Sequence, residues 1–169
     1  MSKTGIVLIG MAGVGKSTIG LSLAKVLGFD FIDLDQYLRD KEGKTIQRII
    51  DDQGEEKLLE LEQQSMREID LNHRVISPGG SIIYNPKIMK YLKRSSYLVF
   101  LDDTFENVNK RLSNAPTRGI VGLKSKSLRE IYNERRPLYS KYAEITINVG
   151  GKSKEEVVSE IIKLKLQIQ

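Results

Sequence analysis

Apolar and polar positions alternate between two periods along this chain. Ile6-Val7-Leu8-Ile9 is a short run rich in β-branched residues between Gly5 and Gly10, the pattern of a buried parallel strand. From Ser17 to Leu27 the apolar residues Ile19, Leu21, Leu23, Val26 and Leu27 follow a helical spacing, and Gly28 stops the helix. Phe29 to Ile32 predicts a second strand ending at Asp33. Thr45–Asp52 and Glu55–Ile69 predict two helices split by Gly54. Val75-Ile76 predicts a third strand, which runs into Ser77-Pro78-Gly79-Gly80-Ser81. Asn85 is placed to N-cap a helix over Pro86–Lys93, with proline in the first turn. Tyr97–Leu101 predicts a fourth strand, and Thr104 caps a helix that runs to about Leu112.

The stretch 113–126 loses periodicity. It carries Pro116, Arg118, two glycines and two lysines, and reads as a mobile loop. Ser127-Leu128-Arg129-Glu130 and Ser153-Lys154-Glu155-Glu156 are capping boxes that open the last two helices, with a fifth strand over Ile145–Val149 between them. The final helix carries Val157, Val158, Ile161, Ile162 and Leu164 on its apolar side. Strand and helix alternate throughout, so the expected fold is α/β, one parallel sheet covered on both faces.

Composition narrows the chemistry. In 169 residues there is no cysteine and a single histidine, His73, which excludes a disulfide framework, a thiol nucleophile and a histidine-pair metal site. His73 lies between Asn72 and Arg74 before a strand and reads as a solvated loop residue. The lack of cysteine fits a cytoplasmic protein. The apolar runs are too short for a membrane span, and Met1–Thr4 offers no signal-peptide hydrophobic region. The net charge of +5 invites a nucleic-acid reading, yet there is no groove helix, no RNA-binding signature and no aromatic platform; tryptophan is absent. A basic chain also suits small anions.

Gly10-Met11-Ala12-Gly13-Val14-Gly15-Lys16-Ser17 names the anion. It matches G-x-x-x-x-G-K-[ST], and it follows a strand and opens a helix, as that motif requires. The glycines let successive amides turn inward to phosphate oxygens, and the helix start adds its positive dipole end. Lys16 can reach the β- and γ-phosphates and Ser17 can ligate Mg²⁺. A guanine-reading N-K-x-D run is absent. Asp102 and Asp103, at the end of an apolar strand, resemble the acid of a motor ATPase, but read as turn and cap residues before the Thr104 helix.

Asp33-Leu34-Asp35 stands at the C-terminal end of the second strand, where open α/β sheets bind ligands. This pair, the phosphate loop, Pro78-Gly79-Gly80, Arg118 in a loop, and Arg135-Arg136-Pro137-Leu138-Tyr139 follow in the order and at the intervals of one family. Together they resemble the shikimate kinases over nearly the whole chain. The resemblance implies a single three-layer α/β/α domain with a five-stranded parallel sheet in the order 2-3-1-4-5. Within it lie an acceptor-binding helical segment over about 34–62 and a mobile lid over about 113–126. It implies transfer of the γ-phosphoryl of ATP to a hydroxyl of a small metabolite, shikimate above all, with Mg²⁺, in a cytoplasmic monomer that engages neither nucleic acid nor membrane.

Site roles carry over by position. Gly13, Val14, Gly15, Lys16, Ser17 and Thr18 would hold the triphosphate, while Arg111 and Lys152-Ser153-Lys154 would flank adenine. Ser17 and Asp33 would serve the metal. Asp35 would bind the acceptor hydroxyl and take its proton or position it. Gly79, Gly80 and Ser81 would border the acceptor, Arg118 would reach the phosphates from the lid, and Arg135, or else Arg136, would bind the acceptor carboxylate. Read from the residues alone, Asp33 also fits a strand-end turn, Asp35 the N-cap of the next helix, and Arg118 a plain loop cation.

Three positions depart from the family pattern. Leu59 stands where the family's G-E-x-x-F-R segment has an arginine for the substrate carboxylate; here the segment is Gly54-Glu55-Glu56-Lys57-Leu58-Leu59. Lys57 is two positions away and about 200° around a helix, so it does not replace that arginine. Ser81 replaces a third glycine, and Arg118 is followed by Gly119 where the family has proline. Another small hydroxylated acceptor (a polyol, sugar acid or hydroxy-amino acid) therefore stays open beside shikimate. So does an ATP-binding regulatory protein without transfer.

Overall fold

The computed structural model describes residues 3–115 and 119–168. Five strands, β1 (Gly5–Ile9), β2 (Asp30–Asp33), β3 (Arg74–Ser77), β4 (Ser96–Asp102) and β5 (Ile145–Asn148), form one sheet in the order β2-β3-β1-β4-β5. All neighbours pair in parallel. This is the expected fold and order.

Side chains alternate across the sheet and bury both faces. Val7, Ile9, Ile76, Leu98 and Phe100 join one core cluster, and Ile6, Leu8, Val75, Val99 and Leu101 join the other. The second cluster is closed by helices α1 (Lys16–Leu27) and α8 (Lys154–Gln167), through Ile19, Leu23, Val157, Val158 and Ile161. The first is closed by α2 (Leu34–Glu42), α3 (Ile46–Gln53), α4 (Glu55–Glu68), α5 (Pro86–Ser95), α6 (Phe105–Ser113) and α7 (Leu128–Tyr142).

The ends of these helices follow local chemistry. Gly28 takes a left-handed φ of 66° and closes α1. The side chains of Asn85, Thr104, Ser127 and Ser153 accept from backbone N–H groups to cap α5, α6, α7 and α8, with both capping boxes complete. α2 has no counterpart in the apolar pattern, because it is short and only Leu34 and Leu38 are fully buried. Its N-cap is Asp33, not Asp35: Asp33 Oδ1 accepts from the Gln36 N–H at 3.2 Å. His73 is an exposed loop residue as expected, with a φ of 52°.

The register sets the site. Asp33 pairs with Ser77, Ile9 with Phe100, and Asp102 with Asn148. The phosphate loop, Asp33 and the Pro78-Gly79-Gly80 turn therefore leave the same edge of the sheet, beside the central strand.

Candidate active site

One cleft of about 450 Å³ runs along that edge. Its floor is the phosphate loop. Gly15 takes a φ of 104°, a conformation that favours glycine, as it turns the chain into α1. Lys16 is 8 % exposed, and its Nζ donates to the carbonyls of Gly10 at 2.8 Å and Met11 at 2.9 Å. The ammonium is thus held over the loop. Gly13, Val14, Gly15, Ser17 and Thr18 line the same floor.

The Ser17 hydroxyl donates to Asp33 Oδ2 at 2.5 Å. These are two hard oxygen donors side by side. Among the described residues no cluster of three or more histidine, cysteine or acidic side chains stands ready for a metal. A cation held by one hydroxyl and one carboxylate, with phosphate and water completing its shell, fits Mg²⁺ better than a metal that needs a protein cage.

At one end of the cleft stand Asp35, Glu62, Ser77, Gly79, Gly80, Ser81 and Arg135. Asp35 is carried by the first turn of α2. Arg135, on α7, is only 1 % exposed; Nε donates to the Tyr84 hydroxyl at 3.3 Å and Nη2 to the Val121 carbonyl at 2.7 Å. The two glycines give these side chains room. A Cβ on Gly79 would sit 2.5 Å from Glu62 Oε1, and one on Gly80 would sit 2.9 Å from Arg135 Nη1. Tyr139, buried beneath, donates to the Gly80 carbonyl at 2.7 Å, and burial pushes its phenol well above the usual range. Arg136 points elsewhere: its guanidinium grips Asp102 at 2.7 and 3.0 Å, so Arg135 is the member of the pair that faces the cleft.

Glu62 escaped the sequence reading. It is 2 % exposed on α4 and accepts from the Ser81 hydroxyl at 3.1 and 3.3 Å. Burial, reinforced by the neighbouring Asp35 charge and opposed by Ser81 and Arg135, pushes its carboxyl up to about 8. A signal existed: Glu62 is four residues after Leu58 and four before Met66, inside the buried stripe of α4, where an acid has no structural reason to be. Leu59, by contrast, is half-buried and does not line the cleft.

At the other end Arg111, Leu112, Val149, Lys152, Lys154 and Val157 form a wall of mixed apolar and cationic character. Arg111 reaches the fully buried Asp103 carboxylate at 2.9 Å. Lys152 pairs with Glu160 at 2.7 Å, and Ser153 caps α8 without lining the cleft. Asp103 also accepts from the Thr104 N–H and from Asn107, so both acids at the end of β4 are engaged in holding structure. Gly119, Ile120 and Val121 line the cleft as an overhang beside Ile46 of α3 and Arg135. The Gly122 N–H donates to Glu55 Oε1 at 2.7 Å, which ties this overhang to the start of α4. Arg118 lies outside the described residues.

Comparison with known proteins agrees with this geometry. A family model described as shikimate kinase matches residues 12–165. The shikimate kinase of Persephonella marina is 34 % identical over 158 residues, covering 93 % of this chain and 96 % of that one. The solved shikimate kinase of Acinetobacter baumannii in complex with shikimate superposes with a TM-score of 0.88 at 28 % identity, over 99 % of this chain and 96 % of that one. That of Aquifex aeolicus gives 0.79 at 32 % identity, over 96 % and 95 %. With strand order, phosphate loop and full-length similarity in accord, the chain belongs to the shikimate kinase family.

Proposed function

We propose that this protein transfers the γ-phosphoryl group of ATP to a hydroxyl of shikimate. The observation that carries the reading is that one cleft is lined both by the phosphate loop with Lys16 and by Asp35, Gly79, Gly80 and Arg135. Phosphoryl transfer depends on in-line positioning and on cations around the equatorial oxygens.

The floor supplies amides, the dipole of α1 and the Lys16 ammonium to the β- and γ-phosphates. Ser17 and Asp33 would hold Mg²⁺, which neutralises charge between those phosphates. Arg135 pairs with the acceptor carboxylate and fixes which hydroxyl faces the phosphate. Asp35 accepts the hydrogen bond of that hydroxyl and takes its proton as the new P–O bond forms. Arg111, Lys152 and Lys154 flank the base, and Ser153 orders their loop. Gly119 to Val121, with Arg118, close over the phosphates and keep water from competing as acceptor. The substrates are small and soluble, so the reaction suits the cytoplasm and needs no second subunit.

The test is ADP release from ATP and Mg²⁺ with shikimate, for the native chain and for Lys16→Ala. Turnover is expected for the first and a loss of at least about 100-fold for the second. Near-normal turnover of Lys16→Ala overturns the reading. So does an absence of ADP release with shikimate.

A further inference from the structure

The acceptor recess has a charge pattern of its own. Glu62 is buried and borders the recess, yet among the described residues its hydrogen-bond donor is one neutral hydroxyl, that of Ser81. An ionised carboxylate can accept about four hydrogen bonds. The position one turn earlier on the same face of α4 is Leu59, which brings no cation into the recess. Asp35 Oδ1 and Glu62 Oε1 both crowd Gly79, at 3.5 and 2.5 Å from where its Cβ would lie. Among the described residues at this end of the cleft, the carboxyl groups are those of Asp35 and Glu62 and the guanidinium is that of Arg135. A monoanionic acceptor answers the guanidinium and leaves Glu62 to be neutralised by a proton alone. A zwitterion answers both.

We propose that this recess also takes a small α-amino acid bearing a side-chain hydroxyl, with Arg135 on its carboxylate and Glu62, beside Asp35, on its ammonium. The proposal rests on the phosphoryl-transfer reading above and extends it to a second class of acceptor. Charge-assisted hydrogen bonds from an ammonium to a buried carboxylate are among the stronger available to a small ligand. Burial favours the neutral, protonated form of Glu62, so an ammonium seated against it displaces that proton to solvent and takes its place as the counter-charge.

In the reaction the side-chain oxygen attacks the γ-phosphorus. The bond from that phosphorus to the β–γ bridging oxygen breaks, and ADP leaves with that oxygen. The hydroxyl proton passes to Asp35 and then to solvent, while the amino and carboxylate groups stay unchanged.

The experiment measures ADP release with L-serine, L-threonine and L-homoserine, each beside its analogue lacking the amino group (3-hydroxypropionate, 3-hydroxybutyrate and 4-hydroxybutyrate), and with shikimate. For at least one pair the amino acid is expected to exceed its analogue in kcat/KM by about tenfold or more, the scale of one hydrogen bond to a charged group. Glu62→Gln is expected to shrink that ratio to within about threefold, and Glu62→Asp to keep part of it. The native comparison needs no variant, so a poorly folded variant leaves it decisive. If shikimate is phosphorylated and no amino acid outpaces its analogue, this proposal falls and the earlier reading stands. If no acceptor releases ADP, both fall.

Discussion

At the scale of single residues, the recess turns on Asp35 and Glu62, with Leu59 beside it on α4. Asp35→Asn keeps shape and loses the proton acceptor, so kcat should fall by about 100-fold with KM little changed; steady-state kinetics at saturating ATP separates the two, and a change in KM alone makes Asp35 a binding group. Leu59→Arg sets a cation one turn from Glu62 and should lower the KM for shikimate by about ten- to a hundredfold. No gain would mean that the recess is built for a different acceptor. Glu62 makes a prediction about stability. Folded, it keeps its proton up to about 8, while in an unfolded chain it releases it near 4.5. Between these values the folded state binds one proton more, so stability falls as pH rises, by at most about 1.4 kcal/mol per pH unit. Asp35, Ser81 and Arg135 face this carboxyl and set its affinity. Urea unfolding from pH 5 to 8 should show that slope, and Glu62→Gln should flatten it. The phosphate loop and Asp33-x-Asp35 were legible because their spacing is itself the chemistry. Glu62 was not, because its role comes from burial among residues up to 73 positions away (Arg135), which no local pattern encodes.

At the scale of elements, β1, β3 and β4 were legible because parallel strands buried on both faces read as continuous apolar runs, while the edge strands β2 and β5 were legible from their short apolar stretches between turn residues. So were the capped helices, whose Ser, Thr and Asn caps sit where the pattern placed them. α2 was missed because its nine residues carry too few buried positions to show a period. The overhang that includes Gly119–Val121 was legible as an aperiodic stretch; its tie to α4 through Glu55 was not. That tie makes its own prediction. Glu55→Ala should loosen the overhang from the acceptor helices and let water in, raising phosphate release relative to phosphorylated acceptor by up to about tenfold. Measuring both products in one reaction checks this, and an unchanged ratio would make Glu55 a purely structural contact.

At the scale of the molecule, two core clusters share one sheet, and the cleft crosses its edge where they meet. A nucleotide bound there touches elements from both sides. At about 100 times its Kd, ATP with Mg²⁺ should stabilise the fold by about 2.7 kcal/mol, a rise in Tm of roughly 5–10 °C for a chain of this length. Thermal melts with and without nucleotide test this, and Lys16→Ala should lose most of the shift. The +5 charge that first invited nucleic acid is partly spent on this polyanion. One side chain binds the two halves of the site into a single mechanism. Asp33 offers one oxygen to Ser17 and the other to the backbone that starts α2. On the proposed roles, the metal position and the base two residues further on would be registered by the same carboxylate. A change there cannot retune donor and acceptor separately, and the distance between phosphate and hydroxyl is inherited as one unit.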